Sequence, residues 1–227
     1  MLSSARIQMK APARLPAGWG KIPRPFFADP PELVAPKLLG KLLARRTETG
    51  WLAGRIVEVE AYLGPHITET PDAAAHSFRG ITERNRVMFG PPGHAYVYFI
   101  YGMYYCVNVT CEPEGWAGCI LVRALEPVLG LETMAGNRRL PASAAQAKLT
   151  GGPGRLCRAL GITRPEHNGL DLLDTKSPLQ LRDDGFVAGA IETTPRIGIR
   201  HAADLPLRFA VEGNACVSRI RAGAPAV

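Results

Sequence analysis

Five of the six tyrosines, Tyr96, Tyr98, Tyr101, Tyr104 and Tyr105, fall within ten residues, and the sixth is Tyr62. Aromatic faces stack on nucleic-acid bases, each stack contributing about 1–3 kcal/mol. Half-buried aromatics are also what a pleated sheet favours in its own right. Arg79, Arg84 and Arg86 precede the tyrosine run, and the chain has a formal net charge of +7. Tyrosines beside unneutralised arginines point toward a nucleic acid. Glu58 and Glu60 project from an otherwise apolar run, where carboxylates are costly unless paired or working. A salt bridge is the ordinary explanation of a lone strand glutamate. Glu60, however, stands two residues from Tyr62 and so shares a face with an aromatic wall. A carboxylate facing a stacked base can activate a water by taking its proton.

Other chemistries lack their residues. His76 has no second histidine at ligand spacing, and the five cysteines, Cys106, Cys111, Cys119, Cys157 and Cys216, form no C-x-x-C pair. Neither a metal site nor a disulfide framework is expected, and a reducing cytoplasm suits such a chain. The H-x-E and P-C-x-x-C pattern of zinc deaminases is missing. So are the Walker phosphate loop and the dinucleotide G-x-G-x-x-G fingerprint. Gly151-Gly152-Pro153-Gly154-Arg155 can offer helix N-terminal N–H groups and a cation to a phosphate, or be a plain turn and helix start.

Several elements must position these groups. Asp29 and Pro30 read as the start of a helix whose apolar residues Leu33, Leu38, Leu39, Leu42 and Leu43 carry it to Arg46. From Trp51 the period becomes two. Along 55–62, Val57, Val59 and Ala61 form one strand face, and Glu58, Glu60 and Tyr62 the other. A loop over 64–93 leads to two strands, 95–100 and 103–111, joined by a bend at Gly102. A further strand covers 118–125, helices cover 127–139, 142–149 and 155–160, and strands recur near 179–181, 196–199 and 207–211.

The 227 residues, 46% hydrophobic and 21% charged, suit one soluble domain large enough to bury its own core. The content of Gly (24) and Pro (20) disfavours a long-helix bundle. Arginine outnumbers lysine, 21 against six; a high-GC coding bias explains that ratio equally well, but not the net charge. Residues 1–25 hold five cations and no acid, and read as a flexible basic arm or an organellar targeting segment. Residues 221–227 read as a flexible tail. Val87 to Cys111 carries no charged side chain, but its prolines, Asn108 and tyrosines suit buried strands rather than a bilayer, so no membrane partner is expected.

The strings 58–64 (EVEAYLG), 74–77 (AAHS), 84–89 (RNRVMF), 96–104 (YVYFIYGMY) and 121–127 (LVRALEP) closely resemble the alkyladenine, or 3-methyladenine, DNA glycosylase family of the AAG/MPG type. The likeness continues through Gly152–Cys157 and Arg196–Ile199 and spans roughly 25–219. It implies an α+β fold: a single mixed domain over 26–220 around a curved antiparallel sheet with surrounding helices. It implies an enzyme that flips a damaged purine from duplex DNA and hydrolyses its N-glycosidic bond. By the same resemblance Glu60 activates the water and Arg123 helps hold it. Tyr62 and Tyr98 sandwich the base, and His76 hydrogen-bonds at its edge and to Tyr98. Asn108 obstructs guanine, and the main-chain carbonyl of Ile197 contacts the water. Tyr101 enters the DNA stack beside Met103, and Thr82, Arg84 and Arg155 meet phosphates.

Two segments depart from the family pattern, a longer 64–73 and an enlarged, acidic turn at 112–116. With that reading go no metal or organic cofactor, double-stranded DNA with a damaged purine as partner, and a nucleoid-associated place in the cytoplasm that the cysteine usage already suggests; with no dimerisation pattern in the sequence, a monomer is expected. A non-catalytic nucleic-acid binder is the competing reading from the residues, and a hydrolase of RNA bases a third. Glu60 on the tyrosine face separates enzyme from binder, because a pure binder gains nothing from a buried carboxylate near a polyanion.

Overall fold

The structure is a computed structural model that describes residues 8–218. The expected tail, 221–227, and the first seven residues of the expected arm lie outside the described residues. In chain order the elements are β1 (Gly20–Lys21), α1 (Pro31–Leu38), β2 (Leu42–Thr47), β3 (Gly50–Tyr62), β4 (Ala95–Ile100), β5 (Tyr104–Cys111) and β6 (Gly118–Leu129). There follow α2 (Leu131–Arg138), α3 (Gln146–Thr150), α4 (Pro153–Leu160), α5 (Arg164–His167), β7 (Leu179–Asp183), β8 (Ile191–Thr194) and β9 (Arg208–Val211). The strands form an antiparallel sheet in the order β1-β7-β2-β3-β6-β5-β4, with β9 paired to both β3 and β8. This is the expected α+β architecture. No helix of the described residues is long and apolar enough to cross a membrane.

Strand β3 organises the molecule. Its first half pairs with β2, and Glu58 to Glu60 pair with β9, while β6 runs along its other edge. Three register shifts interrupt the β3–β6 ladder, and two lie side by side, because Ile56 faces Leu125, Glu58 faces Ala124 and Val59 faces Val122. Val57 and Arg123 are therefore the two extra residues. A bulge re-aims the side chains around it and is common beside functional sites. Here it breaks the expected alternation: Val59 and Ala61 enter the main core, whereas Val57 packs separately with Ala124 and Cys216.

The helix expected over 29–46 stops at Leu38. Gly40 takes φ +88°, outside the reach of most side chains. Leu42 and Leu43 then enter a strand paired on both sides, to β3 and β7. The leucine spacing fits a helix by coincidence, and two ladders override it. Asp29 caps nothing and instead meets Lys37 at 3.2 Å on the surface. Residues 127–129 extend β6, so the next helix starts at Leu131. From Gln8 the expected arm lies against the body: its N–H meets the Val128 carbonyl at 2.7 Å, and Pro12 accepts from Trp51 at 2.8 Å.

Candidate active site

The polar side chains of the β3–β6 bulge meet in a buried cluster. Glu58 and Glu60 are both fully inaccessible to solvent. Arg123 donates from Nε to Glu58 Oε1 at 3.0 Å, and its Nη1 lies 3.1 Å from Glu60 Oε1. The backbone N–H of Ile197 donates to the same Glu60 oxygen at 2.7 Å, and the Tyr62 hydroxyl donates to Oε2 at 2.9 Å. An ionised carboxylate accepts at about four positions. Hydrogen bonds from protein fill one position on each oxygen, and Arg123 lies against Oε1 as an ion pair, so Oε2 keeps one acceptor position. Burial first, and then the adjacent Glu60, hold the Tyr62 phenol far above its ordinary range, so it stays a donor.

Over this cluster lies a cavity of about 490 Å³, a size that suits a purine nucleotide. Tyr62, Arg123 and Ile197 belong to its wall, so Glu60 sits immediately beneath it. Tyr98, Tyr96, His76, Arg84 and Asn108 line it as well. The His76 ring meets Tyr98 edge-on at 4.6 Å, and Tyr96 stacks on Tyr98 at 5.5 Å. His76 Nδ1 lies 2.9 Å from the Tyr96 hydroxyl. Burial, then the Arg84 charge, push its pKa down to about 4, so the imidazole is neutral near pH 7. Arg84 also stands beside the Tyr96 oxygen, and a guanidinium can only donate. The Tyr96 hydroxyl, with one proton and two lone pairs, holds the imidazole in place whichever ring nitrogen carries the proton.

The second face of Tyr62 is held by Arg196, whose guanidinium lies 4.5 Å from the ring centre. Arg196 forms a bidentate pair with Asp72, at 2.7 and 2.8 Å, with both side chains fully buried. It also donates to the Ala61 and Ala202 carbonyls at 3.0 and 3.2 Å, and Asp72 accepts the Leu63 N–H at 3.1 Å. One ion pair thus ties the end of β3, the 64–76 loop and the 195–206 loop behind a single tyrosine.

The hairpin β4–β5 overhangs the cavity. At its tip Tyr101, Gly102 and Met103 link the paired Ile100 and Tyr104, and Tyr101 and Gly102 take positive φ, 54° and 65°. Tyr101 is 63% and Met103 66% exposed, which is unusual for large apolar groups.

The sequence pattern described as Methylpurine-DNA glycosylase (MPG) matches residues 25–215. The chain belongs to the methylpurine-DNA glycosylase family. Relatives of this family include a protein of Koribacter versatilis, 55% identical over 87% of this chain and 92% of its own length. Another, from Methanoculleus marisnigri, is 50% identical over 87% and 98%, and one from Burkholderia cenocepacia 47% identical over 87% and 90%. All three names contain the words 3-methyladenine DNA glycosylase.

The structure gathers Tyr62, His76, Tyr98, Asn108, Arg123, Ile197, Tyr101 and Arg84 around one cavity. Thr82 lies in an adjoining groove with Arg84. Arg155 lies on α4, whose Pro153 and Gly154 reach the wall, and its own side chain turns to the Gly151 carbonyl at 3.2 Å. One expected contact changes: His76 hydrogen-bonds Tyr96, and meets Tyr98 only through its ring. Residues 196–199 form a loop, not a strand, because the Ile197 N–H is spent on Glu60 rather than on a ladder. The two segments expected to depart from the family pattern pack together, His66 lying 3.1 Å from Glu112 and tilted on Trp116 at 4.3 Å. Sequence reasoning missed Tyr96 as the imidazole's partner, and the pairing of Asp72 with Arg196. Nothing singles out Asp72 from Glu69 in its loop, or Arg196 from Arg200 in its own.

Proposed function

We propose that this protein is a monofunctional DNA glycosylase that hydrolyses the N-glycosidic bond of an alkylated or deaminated purine flipped out of duplex DNA. The observation that carries this reading is the Glu60 carboxylate, which is buried under a tyrosine-walled cavity with one acceptor position of Oε2 left for a water. The water attacks C1′ of the flipped nucleotide, its proton passes to Glu60, and the C1′–N9 electron pair leaves with the purine. Glu60 also places negative charge where the sugar becomes oxocarbenium-like. Arg123 and the Ile197 N–H orient the carboxylate. Tyr62 and Tyr98 hold the base between their faces, which favours the cationic 3-methyladenine and 7-methylguanine through cation–π attraction. Hypoxanthine and 1,N6-ethenoadenine fit the same slot. No lysine stands on the cavity wall among the described residues, which supports water rather than an amine as nucleophile. The reading brings with it duplex DNA as partner, a monomer, and a nucleoid-associated place in the cytoplasm.

Flipping costs a few kcal/mol of stacking, which an exposed Tyr101 at a hairpin tip can offset by entering the gap. Tyr101→Ala removes a side chain that packs on little, so stability stays within about 0.5 kcal/mol of the original. Affinity for a lesion duplex drops roughly tenfold with the loss of one stack. Thermal melting and duplex titration read the two effects separately. Tyr96→Phe leaves the cavity shape but frees the His76 ring from its one hydroxyl partner. Base release then slows several-fold for hypoxanthine, which needs a directed donor, and less for 7-methylguanine, which is already cationic. Parallel single-turnover assays check that ratio.

A duplex carrying one 1,N6-ethenoadenine tests the function as a whole. Its fluorescence depends on stacking, so it changes once on insertion between the tyrosines and again on release of the free base. Both phases are expected, and a first phase with no second favours a non-catalytic binder.

A further inference from the structure

We infer that Glu58 is a positioning residue for the catalytic carboxylate, acting through Arg123 to keep one oxygen of Glu60 open to water. The inference rests on the glycosylase reading above. A guanidinium beside a lone carboxylate prefers the two-pronged arrangement, with parallel donors to both oxygens. Such a clamp on Glu60 would cover Oε2, the oxygen with an acceptor position to spare. Arg123 does not adopt it. Its Nε is held by Glu58 Oε1 at 3.0 Å, so only Nη1 reaches Glu60, and it reaches Oε1.

Glu58 is anchored firmly enough to do this. Its Oε1 also accepts from Arg208 Nε at 2.8 Å, and its Oε2 accepts the Ser218 N–H at 2.8 Å. Arg208 is itself buried, and fixed by Thr194 Oγ1 at 2.9 Å and the Ser218 carbonyl at 3.2 Å. Two carboxylates and two guanidiniums balance in charge. Burial alone would raise the Glu58 carboxyl, but Arg123, the Ser218 N–H and Arg208 together outweigh it and hold it ionised. The paired bulges supply the geometry. Arg123 is the extra residue of β6 opposite Glu58 and Val59, and a regular ladder would give it a partner residue instead.

The decisive variant is Glu58→Gln/Arg208→Gln, which removes one charge of each sign and keeps the buried cluster neutral. Glu58→Gln alone serves beside it, although it leaves an unbalanced arginine. Single-turnover base release and affinity are measured with a duplex carrying one deoxyinosine, and folding by thermal melting. We expect the double variant to fold, to bind the lesion duplex within about twofold of the original, and to release base at least about tenfold more slowly. A folded double variant that releases base at the original rate overturns the proposal. So does a loss of release matched by an equal loss of binding, or failure of both variants to fold, since each makes Glu58 a scaffold residue only. Absence of release from the unsubstituted protein sinks the glycosylase reading instead, and so separates the two failures.

Discussion

Glu60→Gln is expected to slow single-turnover base release about a hundredfold or more while leaving lesion-duplex affinity within about twofold. The substitution suits the site. Glutamine keeps the length, and its Oε1 still accepts from Ile197 N–H and Arg123. Its amide nitrogen meets the Tyr62 hydroxyl, which can turn from donor to acceptor. The hydrogen-bonded frame is therefore kept, but the buried cluster is left with one positive charge in excess, so a lower melting temperature is expected beside the lost capacity to take a proton from water. Rapid quenching of a lesion duplex with excess protein measures the rate, and titration the affinity. A mutant rate near that of the original would remove Glu60 from the chemistry.

The largest effect on stability is expected from Asp72→Asn. It leaves Arg196 buried and charged without a counter-ion, a loss of about 3–5 kcal/mol. For a chain of this size that lowers the melting temperature by roughly 10 °C or more. Base release falls with it, because Arg196 backs the Tyr62 ring and the pair ties down the two loops that carry His76 and Ile197. Asp72→Asn/Arg196→Met removes the unbalanced charge as well and is expected to recover part of the lost stability. Its activity stays low, since nothing then supports the aromatic wall. Calorimetric melting of both variants checks the ordering. Equal melting temperatures for Asp72→Asn and the unsubstituted protein would contradict the assigned role.

The chemistry of the site was legible because its residues lie in strings. Glu60 and Tyr62 share one strand, and Tyr98 and Tyr101 share one hairpin, so period two and a glycine bend suffice to bring them near one another. What pairs across long sequence separation was not legible. Arg196 finds Asp72 from 124 residues away, loop to loop, and Arg208 finds Glu58 from 150 away through a pairing of β9 with β3 that neither strand's own period reveals. The bulge was hidden for another reason. Val57, Val59 and Ala61 alternate faultlessly in the sequence, and only the pairing with β6 shows that Val57 leaves the row. The false helix over Leu42 and Leu43 arose because leucines at helical spacing also satisfy a strand buried on both faces.

The central claim is that a purine base is cut from duplex DNA by water over Glu60. Its most direct measurement is the release of free hypoxanthine from a duplex with one deoxyinosine, under excess protein, followed by chromatography of the base. The account predicts free base in a single exponential phase, with the strand intact until alkali cleaves it at the abasic site. A duplex that is bound tightly, yet yields no free base from deoxyinosine, 1,N6-ethenoadenine or 3-methyladenine, would contradict it.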